Sequence, residues 1–177
     1  MIFRHARSED LSGVMQILGE GRATIKRLGI DQWQLGYPHE EIVAEDIRQG
    51  RSFVLEDNGA LAGTAVALFT GEPVYDAIHE GAWITASSSQ DPTYCTIHRV
   101  AVGEGFQGQG VARRLFAEIE QMTKERGYSS IRIDTHPGNA PMRGLLASLG
   151  YEECGIIYID HAGENTPERI AYEKLVS

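Results

Sequence analysis

Val100-Ala101-Val102-Gly103-Glu104-Gly105-Phe106-Gln107-Gly108-Gln109-Gly110-Val111-Ala112 decides how the rest of the chain is read. An apolar strand end enters a stretch crowded with glycine, and an amphipathic helix starts at about Gly110. Glycine at such a junction lets the backbone turn tightly and lets a ligand come close to it. The first turn of a helix presents N–H groups without intrahelical acceptors and carries a partial positive charge. The junction therefore reads as a phosphate-binding site. One detail sharpens this. Arg113 and Arg114 fall in the first turn of the helix, where the helix dipole disfavours cations by about 0.3–1 kcal/mol each. A bound polyanion would reverse that sign. The plainer account is a loop that merely turns the chain, with Arg114 and Glu118 forming an i,i+4 pair of about 0.2–0.5 kcal/mol.

Outward from the junction, Tyr94–Val102 reads as a strand on one side. On the other, Val111, Leu115, Ile119 and Met122 make one helical stripe over about Gly110–Arg126, with Ala112 and Phe116 beside it. Ser130–Thr135 then reads as a strand, Asn139–Leu149 as a helix closed by Gly150, and Tyr151–Ile159 and Ile170–Val176 as strands. Towards the N-terminus, Ile2–Arg7 reads as a short strand. Ser8 is a candidate N-cap for a helix that runs to about Leu28 on Leu11, Val14, Met15 and Leu18. Asp31–Pro38 is a loop holding Trp33 and Tyr37, and His39–Gln49 is a second helix. Ser52–Glu56 and Leu61–Phe69 form a hairpin around Asp57-Asn58-Gly59. Gly71–Asp91 carries no clear periodicity. The resulting order, β-α-α-β-β-β-α-β-α-β-β, mixes a hairpin with helical crossovers. It predicts an α+β fold with a mixed sheet, not a doubly wound parallel one.

The 177 residues read as a single domain, 1–177. A hydrophobic content of 42% and a charged content of 23% are those of an ordinary soluble protein. No apolar run approaches the roughly 20 residues that span a bilayer. The start, Met1-Ile2-Phe3-Arg4-His5, lacks the apolar centre of a signal peptide. Two cysteines, Cys95 and Cys154, are too few for a disulfide framework and point to a reducing cytoplasmic setting. A net charge of −9 argues against nonspecific nucleic-acid binding.

Gly103-Glu104-Gly105-Phe106-Gln107-Gly108 also matches the G-x-G-x-x-G dinucleotide fingerprint, with Asp134 at the end of the next strand. That fingerprint normally opens a βαβ domain, whereas here it follows a hairpin past mid-chain with little chain left. A Walker lysine is absent. More of the chain is explained by a third reading. Gln107-Gly108-Gln109-Gly110-Val111-Ala112 resembles the Q/R-x-x-G-x-G/A signature of the GNAT superfamily of N-acetyltransferases. Asn139 and Leu149-Gly150-Tyr151 follow at that family's spacing. The resemblance covers about 93–159 well and the N-terminal half by element order alone.

The resemblance implies a central mixed, mostly antiparallel sheet flanked by helices and splayed at a coenzyme A site. It implies an acetyl-CoA-dependent N-acetyltransferase acting on a primary amine of a small molecule or peptide. The amides of Gln107, Gly108, Gln109, Gly110, Val111 and Ala112, with Arg113 adjacent, would bind the pyrophosphate. Val100, Ala101 and Val102 would hydrogen-bond the pantetheine arm, with Asn139 beside it. Asn139 reads equally well as a helix N-cap.

His98, on the same strand, is a candidate general base, since imidazole titrates near neutral pH. A half-buried structural histidine is the alternative, and the family's frequent bulge here prevents alternation from fixing its face. Trp33, Tyr37, Arg99 and His136 are candidate acceptor contacts; ordinary packing, a surface ion pair and a strand-end polar cluster are their plainer roles. Cys95 and His98 sit three apart, on opposite faces of a regular strand, so neither a zinc site nor a Cys–His pair is expected. One departure from the family stands out. Leu146 occupies the position of a tyrosine proposed to protonate the leaving thiolate. That keeps open an acyl-CoA-binding regulatory module with little turnover. A homodimer is compatible with the sequence, which does not name the acceptor.

Overall fold

A computed structural model describes residues 1–159 and 165–176. Among them, seven strands form one sheet, flanked by four α-helices. The chain runs β1 (Ile2–His5), α1 (Leu11–Arg27), α2 (Glu40–Arg48), β2 (Ser52–Asp57), β3 (Ala60–Leu68), β4 (Tyr94–Val102), α3 (Val111–Glu125), β5 (Ser130–Thr135), α4 (Ala140–Ser148), β6 (Glu152–Tyr158) and β7 (Glu168–Leu175). The sheet order is β1-β2-β3-β4-β5-β7-β6, and every pairing is antiparallel except β4 with β5. This is the mixed α+β architecture the element order predicts, with the mostly antiparallel sheet the resemblance implies. No described helix is long and apolar enough to cross a membrane.

The β2–β3 hairpin turns where Asn58 and Gly59 both take positive φ, 50° and 83°, as a tight primed turn requires. One face of the sheet is covered by α1 and α2, which bury Val14, Ile17, Leu18, Val43 and Ile47 with Val54 and Ala101. The other is covered by α3 and α4. Leu115, Phe116, Ile119 and Leu146 pack there on Leu55, Ala65, Ile97 and Ile133. The start of α3 lies close on β3 because residue 63 is glycine. A Cβ at Gly63 would sit 2.7 Å from a Val111 methyl and 3.1 Å from the Ala101 carbonyl.

Ser8 does not cap α1. Ser8–Asp10 forms a 3-10 turn ahead of the helix. The Asp10 carboxylate accepts the Arg7 N–H at 2.7 Å and both Nη atoms of Arg4 at 2.7 and 3.0 Å. The local capping preference of serine yields here to a charge-assisted contact set up by β1.

The segment from 71 to 93, unread in sequence, crosses the α1 face of β5, β6 and β7. His79 and Ile156 exchange two main-chain hydrogen bonds at 2.8 Å. Gly81 lies so close to β6 that a Cβ would fall 1.9 Å from the Cys154 carbonyl. Arg132 of β5 and Glu173 of β7 anchor the crossing. Both are wholly buried, with Arg132 Nε donating to Glu173 at 3.1 Å. Arg132 also donates to the carbonyls of Thr85 and Ser87 and lies 4.4 Å and 4.0 Å from the ring centroids of Trp83 and Tyr94.

Burial alone would raise the Glu173 carboxyl. Hydrogen bonds from Ser130 and Thr85 and the charge of Arg132 outweigh it and hold the group below its usual value. Stability from this carboxylate is therefore complete above its ordinary pKa, and is lost as pH falls through the depressed folded value. Glu173→Ala leaves a buried guanidinium without its counter-ion. It is expected to cost about 3–5 kcal/mol in urea unfolding at pH 7. The difference from wild type should shrink on acidification below pH 4.

Candidate active site

The site begins with an interrupted ladder. Strands β4 and β5 pair only at Tyr94↔Ser130, Cys95↔Ile131 and Thr96↔Arg132. On its other edge β4 pairs with β3 at Val66↔His98 and then at Thr64↔Ala101. Arg99 and Val100 thus oppose the single residue Ala65, which makes a bulge, and Arg99 has φ of +52°. A bulge bends its strand. From Ile97 onward β4 leaves β5, and a cleft of about 230 Å³ opens between Ile97–Val100 and Ile133–Thr135. The sequence resemblance implied this splay at the same strand.

The structure also settles the face that alternation left open, because the bulge falls after His98 and the register runs regularly up to it. Cys95 lies on the α3 side, where burial pushes its thiol up to about 12, so it stays neutral. His98 lies across the sheet and lines the cleft, with Nε2 3.1 Å from the Glu72 carboxylate. That hydrogen bond, against the opposing effect of burial, holds the Glu72 carboxyl below its usual range.

Arg99 is pinned inside the protein. Its guanidinium lies 2.7 Å from Asp46, which is 3% exposed, and donates to the Tyr37 hydroxyl. Any substrate carboxylate would therefore compete with Asp46 for it. Burial raises the Tyr37 hydroxyl, only partly countered by Arg99, so Tyr37 is neutral at pH 7. Trp33 belongs to the α1–α2 core and also lines the cleft. Asp134, on the β5 wall, accepts the Tyr75 hydroxyl at 2.6 Å.

The remaining candidates divide. Asn139 caps α4, its Oδ1 accepting the Met142 N–H at 3.2 Å, and it also borders the cleft. His136 lies on the turn after β5, outside the cleft lining. Its Nδ1 accepts the Gly138 N–H at 3.0 Å, and Asp31 lies 3.7 Å from Nε2. Leu146 is wholly buried against the sheet. Tyr151 packs edge-on against Phe116, and Tyr158 lies against His79, so neither lines the cleft. Asp46, Glu72 and Tyr75 escaped sequence reading. Each contacts the site from another element, and no local spacing signals that.

Past Val102 the chain passes through the 3-10 turn Glu104–Phe106 into the glycine loop. Gly108 and Gly110 take φ of 75° and 77°, and a Cβ at either would meet open space. Backbone conformation, not crowding, demands glycine there. Gln107 and Gln109 amides turn back to Glu104 and Phe106. Among the described residues, the amides of Gly108, Gly110, Val111, Ala112 and Arg113 have no protein acceptor, and α3 has no side-chain cap. Arg113 reaches the Ser148 hydroxyl at 2.7 Å, while Arg114 pairs with Glu118. An uncapped helix start with five unengaged amides beside an exposed arginine suits a polyanion.

Residues 22–151 match the model of the acetyltransferase (GNAT) family. The chain belongs to that family. A GNAT-family acetyltransferase from Streptococcus agalactiae is 33% identical, with 99% of this chain and 95% of that chain covered and a TM-score of 0.88. The PaiA N-acetyltransferase of Thermoplasma acidophilum, solved in complex with coenzyme A, is 15% identical over 98% of both chains, with a TM-score of 0.69. It shares the fold. The acyl-(acyl-carrier-protein)–UDP-N-acetylglucosamine O-acyltransferase of Herminiimonas arsenicoxydans is 32% identical over 142 residues, 74% of this chain and 52% of its own. The chain spans about half the length of the curated relatives it first matches. The GNAT fold supports acetyl transfer.

A non-glycine residue in place of Gly108 or Gly110 carries a left-handed penalty of about 1–2 kcal/mol, which a variant loop relieves by relaxing when empty and pays on binding phosphates through the present backbone. Gly108→Ala and Gly110→Ala should each weaken coenzyme A binding about 5–30-fold in calorimetric titration, with the Arg114→Ala variant close to wild type.

Proposed function

We propose that this GNAT domain moves an acetyl group from acetyl-CoA to a primary amine by direct attack. The observation that carries the reading is the cleft where β4 leaves β5, on the strand that leads into the glycine loop. The loop's unengaged amides and Arg113 would hold the pyrophosphate. The open edge of Val100–Val102 would carry the pantetheine arm. Coenzyme A supplies the activated thioester.

The chain's own groups serve the acceptor. Glu72 and Asp134 give the cleft two carboxylates, which draw in an ammonium group. His98, between the strand edge and Glu72, takes the proton the amine must lose. Arg99 is neutralised by Asp46 and so does not offset the two carboxylates, while Arg169, also at the cleft wall, donates to the Thr166 and Glu168 carbonyls. Leu146 supplies no acid, so the thiolate leaves unassisted from this position. An ordinary thiol has a pKa of about 8.5, which makes that departure feasible. Buried Cys95 and Cys154, both free, fit a reducing cytoplasm.

A thiol-release assay with acetyl-CoA against a panel of amines, amino acids and hydroxyl acceptors tests the reading. Turnover is expected on an amine, and His98→Ala should lower kcat/KM about 10²-fold or more with coenzyme A affinity unchanged. Turnover only on hydroxyl acceptors would make the chain an O-acyltransferase. Coenzyme A binding with no turnover on any acceptor would make it an acyl-CoA-binding module.

A further inference from the structure

The cleft's acceptor face is spanned by a short strap, Glu72–Asp76, from the connection between β3 and β4. It ties to both strands that the gap separates. The Glu72 main-chain N–H donates to the Tyr94 hydroxyl of β4 at 3.0 Å, and the Glu72 side chain meets His98 two turns of the pleat further along. Three residues on, the Tyr75 hydroxyl donates to Asp134 of β5 at 2.6 Å. Glu72 is thus held at its backbone as well as at its carboxylate, and its side chain is 24% exposed. A loosely placed surface carboxylate would have neither restraint.

We propose that Glu72 is the positioning residue of His98: it accepts the Nε2–H, so that the neutral ring carries its lone pair on Nδ1 and takes the acceptor's proton there. Among the described residues Nδ1 has no hydrogen-bond partner. The proton that the attacking amine gives up goes to Nδ1 as the N–C bond forms and the C–S bond breaks. The resulting imidazolium lies against the Glu72 carboxylate, which remains ionised. Glu72 is itself a poor base, because His98 holds its carboxyl below the usual range. The other titratable groups around the ring are Tyr75 on the strap, Arg99 on β4, Asp134 on β5, Arg169 on β7 and Tyr37 on the loop before α2. None of these contacts the His98 ring by a hydrogen bond; among the described residues only Glu72 does. This inference rests on the acetyl-transfer reading for its chemistry, but not for its geometry.

The test is the His98 tautomer, read by ring-nitrogen NMR on the wild-type chain, joined to the pH dependence of kcat/KM in Glu72→Gln. The neutral wild-type ring is expected to carry its proton on Nε2. Glu72→Gln removes the charge that favours the imidazolium, so the acid limb of kcat/KM should move to lower pH. The plateau should fall about tenfold or more, part of the 10²–10⁴ that a general base contributes. The KM for acetyl-CoA should stay unchanged, and Glu72→Asp should restore part of the loss. A wild-type ring protonated on Nδ1, or a Glu72→Gln profile that superimposes on wild type, overturns the proposal. If no acceptor is turned over, the acetyl-transfer reading falls, and the tautomer still decides the contact. If Glu72→Gln does not fold, the wild-type spectrum and Glu72→Asp decide it.

Discussion

Three residue pairs join β4 to β5, and the rest of the molecule is arranged around the point where that ladder stops. A parallel pair that continued would seal the cleft with main-chain hydrogen bonds. The bulge at Arg99–Val100 prevents it by bending β4 away while β3 stays paired along the other edge. Arg99 there holds a left-handed conformation, which costs a non-glycine residue about 1–3 kcal/mol unless its surroundings fix it. The surroundings do. Asp46 on α2 and Tyr37 on the preceding loop grip the guanidinium, so the helix layer holds the distortion that the sheet alone would relax.

Two devices then hold the strands around the gap. The strap at Glu72–Asp76 bridges them above the gap through Tyr94, His98 and Asp134. Below it, the Arg132–Glu173 pair joins β5 to β7 and captures the Thr85 and Ser87 carbonyls. Replacing a buried ion pair by apolar residues can leave stability unchanged, but losing one partner is costly. The pair therefore works as a lock: it adds little while intact and penalises any register that separates its members. The same crossing segment carries Glu72, so the clamp that orders it also sets where a carboxylate meets His98.

The strands Tyr94–Val102 and Ser130–Thr135 are legible to the residue in the sequence, because β-branched and aromatic residues end sharply at polar or glycine boundaries. The glycine loop is legible for a similar reason, since its chemistry is local: main-chain amides, two positive φ angles and the first turn of one helix. The wall of the cleft is not. His98 meets Glu72 across 26 positions, and Tyr75 meets Asp134 across 59. No periodicity reports such contacts. The bulge adds a second obstacle. It shifts the alternation of β4 by one residue, so the face of every side chain beyond it is hidden from a period-two reading. The misreading of Ser8 has the same origin, since Asp10 answers to Arg4 on β1 and not to its own helix.

Charge shows how local this site is. A chain of net charge −9 is a poor partner for a polyanion if the whole molecule is treated as one field. At physiological ionic strength, however, exposed charges are screened beyond about 8 Å. The field at the glycine loop is set by what lies within that radius. There the α3 start contributes unengaged amides and half a positive charge or so, and Arg113 adds a full one. Arg114 is cancelled by Glu118. The β4–β5 cleft is lined instead by Glu72 and Asp134, with Arg99 neutralised by Asp46 and the buried Arg169 beside them. Strand β4 thus links two local fields that the net charge does not report. On the acetyl-transfer reading proposed above, the first field would meet the donor's phosphates and the second the acceptor.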